Sequence, residues 1–282
     1  MENNDQNLKT DSVNPTQENL TNPQPQKSNT KMLLIGLGVL FIVILISAGM
    51  MLYFKNKNQT ATNVDSPIAT QNEKAPIDFG QQIKSAHFET STPEHGTTLA
   101  AAPNQIAINF NFDLAKPSDI SITSGGKKYS TGDTVIDENL LTMRLGMDTD
   151  APDGLYEVKY HACWPDSSCH DGVFTFAIDR TKASSYTDLT GKKEVTIKMK
   201  EIKFDPQNII IDKGTKVTWV NNEDVVHYVN TDSHPGHTHQ LGFNSKALNK
   251  GVTYSYTFDQ AGAYPYHCSA HASQMTANIV VI

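Results

Sequence analysis

The chain has 282 residues, a formal net charge of −7 and 19 % charged side chains. At about 150 residues per domain, this length suits one or two compact domains, and we favour two. The sequence has no surplus of basic residues, which excludes nucleic acid and an anionic membrane surface as partners selected by charge.

The first segment, residues 1–31, is rich in Asn, Gln, Asp, Thr and Pro. It cannot bury enough apolar surface to offset the entropy of ordering, so we predict a disordered cytoplasmic tail. Residues 32–54 carry no charge, and about 20 apolar residues in a helix match a hydrocarbon core of about 30 Å. They predict a single transmembrane anchor. A cleaved signal peptide is the alternative, although the apolar run is long and ISAGMM is a poor cleavage site.

The remaining chain reads as a linker followed by β-structure. Residues 55–83 are polar without sustained periodicity, which predicts a flexible linker. Beyond them, short runs such as YEVKY, VFTFAI, KVTWV and ANIVVI alternate apolar and polar residues, and turn residues such as PDG, DKG and QAG separate the runs. This pattern predicts an all-β protein with two antiparallel β-sandwiches, over residues 84–182 and 192–282.

Three cysteines divide into a pair and a singleton. In an oxidising compartment Cys163 and Cys169 can close a disulfide, and two buried free thiols are the alternative. Cys268 stands alone about a hundred residues later and needs its own explanation, such as metal ligation.

The segment YPYHCSAHASQM supplies a thiolate at Cys268, an imidazole at His271 and a thioether at Met275. Copper accepts such ligands in both the Cu(I) and the Cu(II) state. A second imidazole is available upstream at His227, within WVNNEDVVHYVN, and completes a trigonal His₂Cys set with a long axial Met. Zinc also binds Cys and His, but the thioether favours copper.

These residues belong to a wider pattern, formed by IKFDPQNIIIDKGTKVTWVNNEDVVHYV, FDQAGAYPYHC and the Cys-x2-His-x3-Met loop. With it, residues 193–282 resemble the plastocyanin/azurin-type cupredoxins. The resemblance implies a Greek-key sandwich with one type 1 copper ion and no enzymatic activity. Gln274 is an alternative axial donor. The ligands implied are His227, Cys268 and His271 in the equatorial plane, with Met275 axial.

Between these ligands lies the loop DSHPGHTHQLGF, which contains His234, His237 and His239. Clustered histidines in a loop predict a weak second site for copper or zinc, and a solvated loop is the alternative.

The segments SAHFETSTPEHGTTL, PNQIAINFNFDL and DGLYEVKYHACWPDSSCHDGVFTFAI resemble the copper resistance protein CopC family. The resemblance implies an immunoglobulin-like sandwich with a copper site formed by His87, His170 and Asp166, or Asp171 as the acidic ligand. The family uses a histidine at the mature N-terminus, whereas His87 lies inside this chain, and CWPDSSCH replaces the usual loop motif. A spacer domain without copper is therefore the alternative, and we assign no role to Met143 or Met147.

Together these features predict a membrane-anchored copper protein that transfers electrons through a type 1 centre and has a candidate second copper ion. Flanking lysines leave the orientation of the anchor undecided, but a disulfide and an oxidisable thiolate place the domains outside the cytoplasm, in a periplasm or at the cell surface. The expected partner is a redox protein or a copper donor or acceptor of the envelope. Copper homeostasis is the alternative function. A relative of copper nitrite reductases or multicopper oxidases would need further His-rich centres.

Overall fold

The computed structural model describes residues 76–282, which belong to one compact unit. The predicted tail, anchor and most of the predicted linker lie outside these residues. Within residues 76–282, none of the helices has the length and apolar character needed to cross a membrane. The described chain is all-β, as predicted, and its strands form four sheets in two sandwich-like domains.

Nine strands make up the N-terminal domain. They are β1 (Phe88–Thr92), β2 (Thr98–Leu99), β3 (Gln105–Phe110), β4 (Ala115–Ser124), β5 (Lys127–Lys128), β6 (Ser130–Ile136), β7 (Thr142–Met147), β8 (Gly154–Cys163) and β9 (Cys169–Ile178). One sheet has the order β1-β3-β7-β6 and the other β2-β9-β8-β4-β5. Alternate residues of β8, including Tyr156, Val158 and Tyr160, are buried in the core between the sheets, as period-two patterning requires.

The hairpin of β8 and β9 is closed by a covalent bond. Cys163 and Cys169 are directly opposite each other in the strand register and form a disulfide, which confirms the predicted pairing. Inside the turn, Trp164 N donates to Ser168 O at 2.9 Å, and Ser167 N donates to Trp164 O at 3.0 Å. The loop that replaces the usual family motif is therefore a tight, cross-linked turn.

The C-terminal domain also has nine strands. They are β10 (Thr187–Asp188), β11 (Glu194–Lys200), β12 (Lys203–Asp205), β13 (Asn208–Ile211), β14 (Thr215–Asn221), β15 (Asn230–Thr231), β16 (Thr253–Phe258), β17 (Gly262–His267) and β18 (Thr276–Val281). Their sheets have the orders β12-β11-β14-β16 and β10-β13-β18-β17-β15. Two 3₁₀ helices, Arg180–Ser185 and Ser269–His271, complete the described elements.

The sheets are not purely antiparallel, which corrects one expectation from the sequence. Strand β11 pairs in parallel with β14, β13 pairs in parallel with both β10 and β18, and β2 pairs in parallel with β9. Period-two alternation reports which face of a strand is buried, but it carries no information on the direction of the neighbouring strand.

An aromatic core supports the strand that leads to Cys268. Trp219 on β14 is fully buried and donates from Nε1 to Tyr266 Oη at 3.2 Å. Phe243 packs beside Trp219 with ring centroids 5.5 Å apart, and Phe204 lies 4.7 Å from Tyr266. Burial raises the pKa of Tyr266, so its hydroxyl stays neutral. Strand β17 therefore packs against a rigid, dense aromatic core.

The same strand begins at the N-terminal domain. Ala263 N donates to Ala102 O at 2.9 Å, and Ala263 is part of the buried core of the N-terminal domain. Gly262 has φ +142°, and a Cβ atom on it would lie 2.8 Å from Asn104 N, so only glycine fits here. The two domains thus share a packed boundary at the start of β17.

Candidate copper centre and its neighbouring histidines

The loop after β17 is closed by its own backbone. His271 N donates to Cys268 O at 2.8 Å, Met275 N donates to His271 O at 2.9 Å, and Cys268 N donates to Met275 O at 2.9 Å. Met275 is 1 % exposed, whereas the neighbouring Gln274 is exposed. The loop thus directs the thioether inward, into the same buried cluster as Cys268, and leaves the amide outside.

His227 reaches the loop from a separate segment. Its backbone exchanges two hydrogen bonds with Leu248, at 3.1 and 2.9 Å. The Asn221 side chain braces this arrangement, because its Nδ2 donates to Leu248 O at 2.8 Å and to Val225 O at 2.7 Å. The imidazole of His227 is thereby held in the core and is fully buried.

The three strongest candidate ligands converge. Cys268 Sγ lies 3.5 Å from His227 Nδ1 and 3.5 Å from His271 Nδ1, and the three atoms all lie within 4.8 Å of one another. Two donors that share an ion at about 2.0–2.3 Å are separated by roughly 3.3–3.7 Å, so the donor set fits one metal ion. Tyr228 N donates to Cys268 Sγ at 3.3 Å, which helps to hold the sulfur in place.

A carboxylate orients one of the imidazoles from outside. Glu223 Oε1 lies 2.6 Å from His227 Nε2, which leaves Nδ1 directed at the sulfur. Burial alone would raise the pKa of Glu223, but hydrogen bonds from Ile202 N, His227 and Glu201 N outweigh it, and the pKa lies below its usual value. Glu223 is therefore ionised and fixes both the tautomer and the ring orientation of His227.

Exposure differs among the four residues. Cys268, His227 and Met275 are buried, while His271 is partly exposed. A centre built this way excludes water from the sulfur and approaches the surface only through the His271 ring.

Comparison with known proteins agrees with this geometry. The family described as copper binding proteins, plastocyanin/azurin family, matches residues 191–282. Plastocyanin from Scenedesmus fuscus is 36 % identical over 77 residues, which cover 24 % of this chain and 74 % of that relative. The chain belongs to the plastocyanin/azurin family of copper-binding proteins. Amicyanin from Paracoccus denitrificans is 29 % identical over 77 residues, and the match covers 27 % of this cupredoxin-containing chain and 57 % of the amicyanin. The chain thus spans little more than half of that relative.

The N-terminal sandwich matches a second copper-binding family. The CopC domain family covers residues 88–179. The crystal structure of CopC from Methylosinus trichosporium OB3b aligns at 20 % identity with a TM-score of 0.31, over 34 % of this chain and 94 % of that one. With copper-binding families on both halves and a cluster of two histidines and one cysteine in the cupredoxin domain, copper is the cofactor of this protein.

The candidate ligands of the CopC-like domain gather around one aromatic ring. His87 stacks on Phe112 at 4.9 Å and meets the edge of Trp164 at 5.1 Å, and His170 lies 5.4 Å from the same tryptophan. His87 Nδ1 is hydrogen bonded to Asn111 Oδ1 at 3.0 Å. The two histidines therefore flank Trp164 at one end of the sandwich.

The acidic candidates are already engaged. Asp166 Oδ1 accepts from the hydroxyl and the backbone N of Ser168, and these bonds lower the pKa of its carboxyl. Asp171 Oδ1 lies 2.6 Å from His161 Nδ1. Across the described chain, the groups of potential ligand atoms within 4.8 Å include none of His87, Asp166 and His170. One such group contains His161, but its two sulfurs, Cys163 and Cys169, are bonded to each other.

The histidine loop is divided between two environments. His234 and His237 form a group with His267, the last residue of β17. His239, the third histidine predicted for the loop site, lies apart from them: it is fully buried, and its Nε2 is 3.2 Å from Gln105 O.

The CopC-like domain causes this division by holding the other side of the loop. Thr238 Oγ1 donates to Asn109 Oδ1 at 2.7 Å, and Asn109 Nδ2 donates to Ser233 Oγ at 3.2 Å. The side chains of Gln105 and Arg144 both donate to His239 O. These contacts carry His239 into the boundary and leave His234 and His237 on the opposite side of the loop.

Three residues near the candidate ligands were not recognised in the sequence, namely Glu223, His267 and Asp232, whose Oδ1 lies 2.7 Å from His267 Nδ1. Glu223 precedes His227 by four residues in a segment that is not helical, so no periodic pattern marks it. His267 immediately precedes Cys268 and is overshadowed by it. The alternation of side chains along β17 is the signal that could have identified His267. Consecutive residues of a strand point to opposite faces, so two adjacent potential ligands can belong to two different sites.

Proposed function

We propose that the protein is a membrane-anchored, extracytoplasmic electron carrier whose cupredoxin domain holds a type 1 copper ion. The observation that carries this proposal is the position of Cys268 Sγ, 3.5 Å from Nδ1 of both His227 and His271. A copper ion held there supplies one-electron exchange between Cu(I) and Cu(II).

The residues around the site favour electron exchange over substrate chemistry. The backbone bonds of the loop hold Cys268, His271 and Met275 in one arrangement, so little reorganisation accompanies a change of charge. Met275 is buried in the same core cluster as Cys268, and a closed set of four protein ligands would leave no coordination position for a substrate. The partly exposed His271 is the route by which a redox partner makes contact.

Location and anchoring are part of the proposal. The uncharged run at residues 32–54 supports a membrane anchor. The disulfide between Cys163 and Cys169 supports an oxidising compartment, because such bonds persist outside the reducing cytosol. Fractionation of cells that express the full chain, with protease added to intact and to permeabilised cells, tests both statements.

The decisive experiment measures the reduction potential and the electron self-exchange rate of the copper-loaded full chain. Fast exchange with an unchanged copper content supports the carrier. Met275→Leu is expected to raise the reduction potential, because a weak axial donor is lost. Gln274→Ala, which changes the exposed neighbouring residue, should leave the potential unchanged. Slow electron exchange with every donor tested would defeat the carrier function.

Copper homeostasis is the second candidate, and the observation that favours it is the pair of histidines flanking Trp164 in the CopC-like domain. In that case the chain passes copper on to an acceptor. Transfer of copper to a chelator or acceptor protein, measured beside electron exchange, separates the two functions.

A further inference from the structure

We propose that His234, His237 and His267 form a second metal site, distinct from the Cys268 centre, that binds Cu²⁺ at the boundary of the two domains. The three rings surround one point, with centroids 5.0 to 5.4 Å apart. One ligand nitrogen from each lies within 4.8 Å of the others. The proposal does not depend on the electron-transfer role.

The strongest single observation is an unpartnered nitrogen on His267. This residue is 2 % exposed, and its Nε2 has no hydrogen-bond partner among residues 76–282. A buried polar atom left unpaired is destabilising, so such an atom calls for an explanation. A bound metal ion supplies one, because a neutral imidazole offers its lone pair at this nitrogen.

The opposite nitrogen of His267 is set for ligation. Its Nδ1 lies 2.7 Å from Asp232 Oδ1, and a carboxylate oxygen accepts a hydrogen bond from an N–H at that position. Histidines that bind metals commonly donate their other ring N–H to a carboxylate or a carbonyl, which fixes the tautomer and makes the ligating nitrogen more basic. Asp232 is therefore a positioning residue for this site.

His237 shows the same arrangement. Its Nδ1 lies 3.1 Å from Thr231 O, a carbonyl that only accepts, so Nδ1 carries the proton and Nε2 has the lone pair. That Nε2 is 3.1 Å from Ser269 Oγ, whose hydroxyl already accepts from Asn230 Nδ2 at 2.7 Å and is free to donate to the ring or to rotate away. Two of the three histidines thus present Nε2 with Nδ1 held by an acceptor.

An ion can reach this point through a cleft between the domains. The cleft has a volume of about 290 Å³ and is lined by His234 and His267 together with residues of the CopC-like domain, including Glu94. His234 is exposed and completes the set from the solvent side. Three imidazoles suit Cu²⁺ and Zn²⁺, and Cu²⁺ binds more tightly in the usual order of divalent metals.

The site requires both domains. Asn109 of the CopC-like domain bonds to Ser233 and Thr238 on either side of His234 and His237, and Arg144 Nη2 donates to Thr238 O at 3.2 Å. The CopC-like domain therefore fixes the loop that brings two histidines to the third.

The test counts copper in the full chain after loading with Cu²⁺ and removal of weakly bound metal. His234→Gln and His237→Gln are each expected to retain one copper ion fewer per chain than the wild type, with the blue absorption of the Cys268 centre intact. In the electron paramagnetic resonance spectra of these variants, a Cu²⁺ signal that shows nitrogen couplings and no thiolate ligation should disappear. Asp232→Asn should weaken binding of that ion by about 10–100-fold.

His161→Gln is the matched control, because it removes a partly exposed histidine that is not a candidate ligand of either copper site. It should leave the tested ion in place. An unchanged blue absorption and unfolding midpoint verify that each variant is folded. Equal copper contents in wild type, His234→Gln and His237→Gln would overturn the proposal, as would loss of this signal in His161→Gln alone. Failure of the proposed electron-carrier function would instead appear as slow electron exchange at the Cys268 centre.

Discussion

The cupredoxin end and the CopC-like end of the molecule fix their candidate ligands by different means. At the cupredoxin end, three backbone hydrogen bonds close the loop on itself, and Cys268, His227 and Met275 are buried. At the CopC-like end, a disulfide closes the turn, and exposed side chains surround Trp164. Within residues 76–282, the cupredoxin end alone brings ligand atoms of three residues within 4.8 Å of one another and includes a sulfur that is free to bind a metal. A preformed site depends on buried backbone geometry, and a cross-link alone does not create one.

The largest effect is expected when the sulfur of Cys268, which distinguishes the cupredoxin end, is removed. Cys268→Ser removes the thiolate and should abolish the blue absorption and lower copper affinity at this centre by more than about 100-fold, beyond the effect typical of an outer residue. Absorption spectroscopy and competition with a Cu(I) chelator measure this. Ser269→Ala, the next residue, serves as the control. Unchanged blue absorption in Cys268→Ser would refute the assignment of the centre.

An intermediate effect is expected at the other end. Replacing both residues of the disulfide, in Cys163→Ala with Cys169→Ala, should lower the free energy of unfolding by about 2 kcal/mol, because a short loop is no longer cross-linked in the unfolded chain. Denaturant unfolding measures the change. The blue absorption should be unaffected, since the bond lies in the CopC-like domain. A wild type whose stability does not respond to reductant would contradict this account.

The smallest effect concerns the carboxylate behind His227. Glu223→Gln removes a negative charge that stabilises Cu(II) more than Cu(I), so the reduction potential should rise by roughly 59 mV, equivalent to a tenfold shift in a one-electron equilibrium. Protein-film or equilibrium redox titration gives the value. Glu201→Gln is the matched control, because it removes the same charge from an exposed neighbouring residue. Equal potentials in the two variants would show that contact with His227 is irrelevant.

The candidate cupredoxin ligands could be proposed from the sequence because three of them lie in one short loop. Cys268, His271 and Met275 span eight residues, and their chemistry points to copper before any fold is known. His227 was found through the strand pattern around it. The all-β class followed from alternation alone, while the parallel pairing of β11 with β14 did not, because direction leaves no trace in a period of two.

The remaining parts of the site depend on contacts between distant segments. His239 shares a loop with His234 and His237, yet Gln105, more than a hundred positions earlier, holds it at the domain boundary. His267 takes the third place because β17 ends beside that loop. Such assignments depend on which domain packs against the loop, and a local motif holds no record of that packing.

Ala263 limits how the two domains of this chain can be separated. It lies on β17 of the cupredoxin domain, but its side chain completes the core of the CopC-like domain. Exchange of the cupredoxin domain would leave a gap in the core of the CopC-like domain, and exchange of the CopC-like domain would uncover Ala263. Anyone who grafts the CopC-like half onto another scaffold must therefore supply the start of β17 with it.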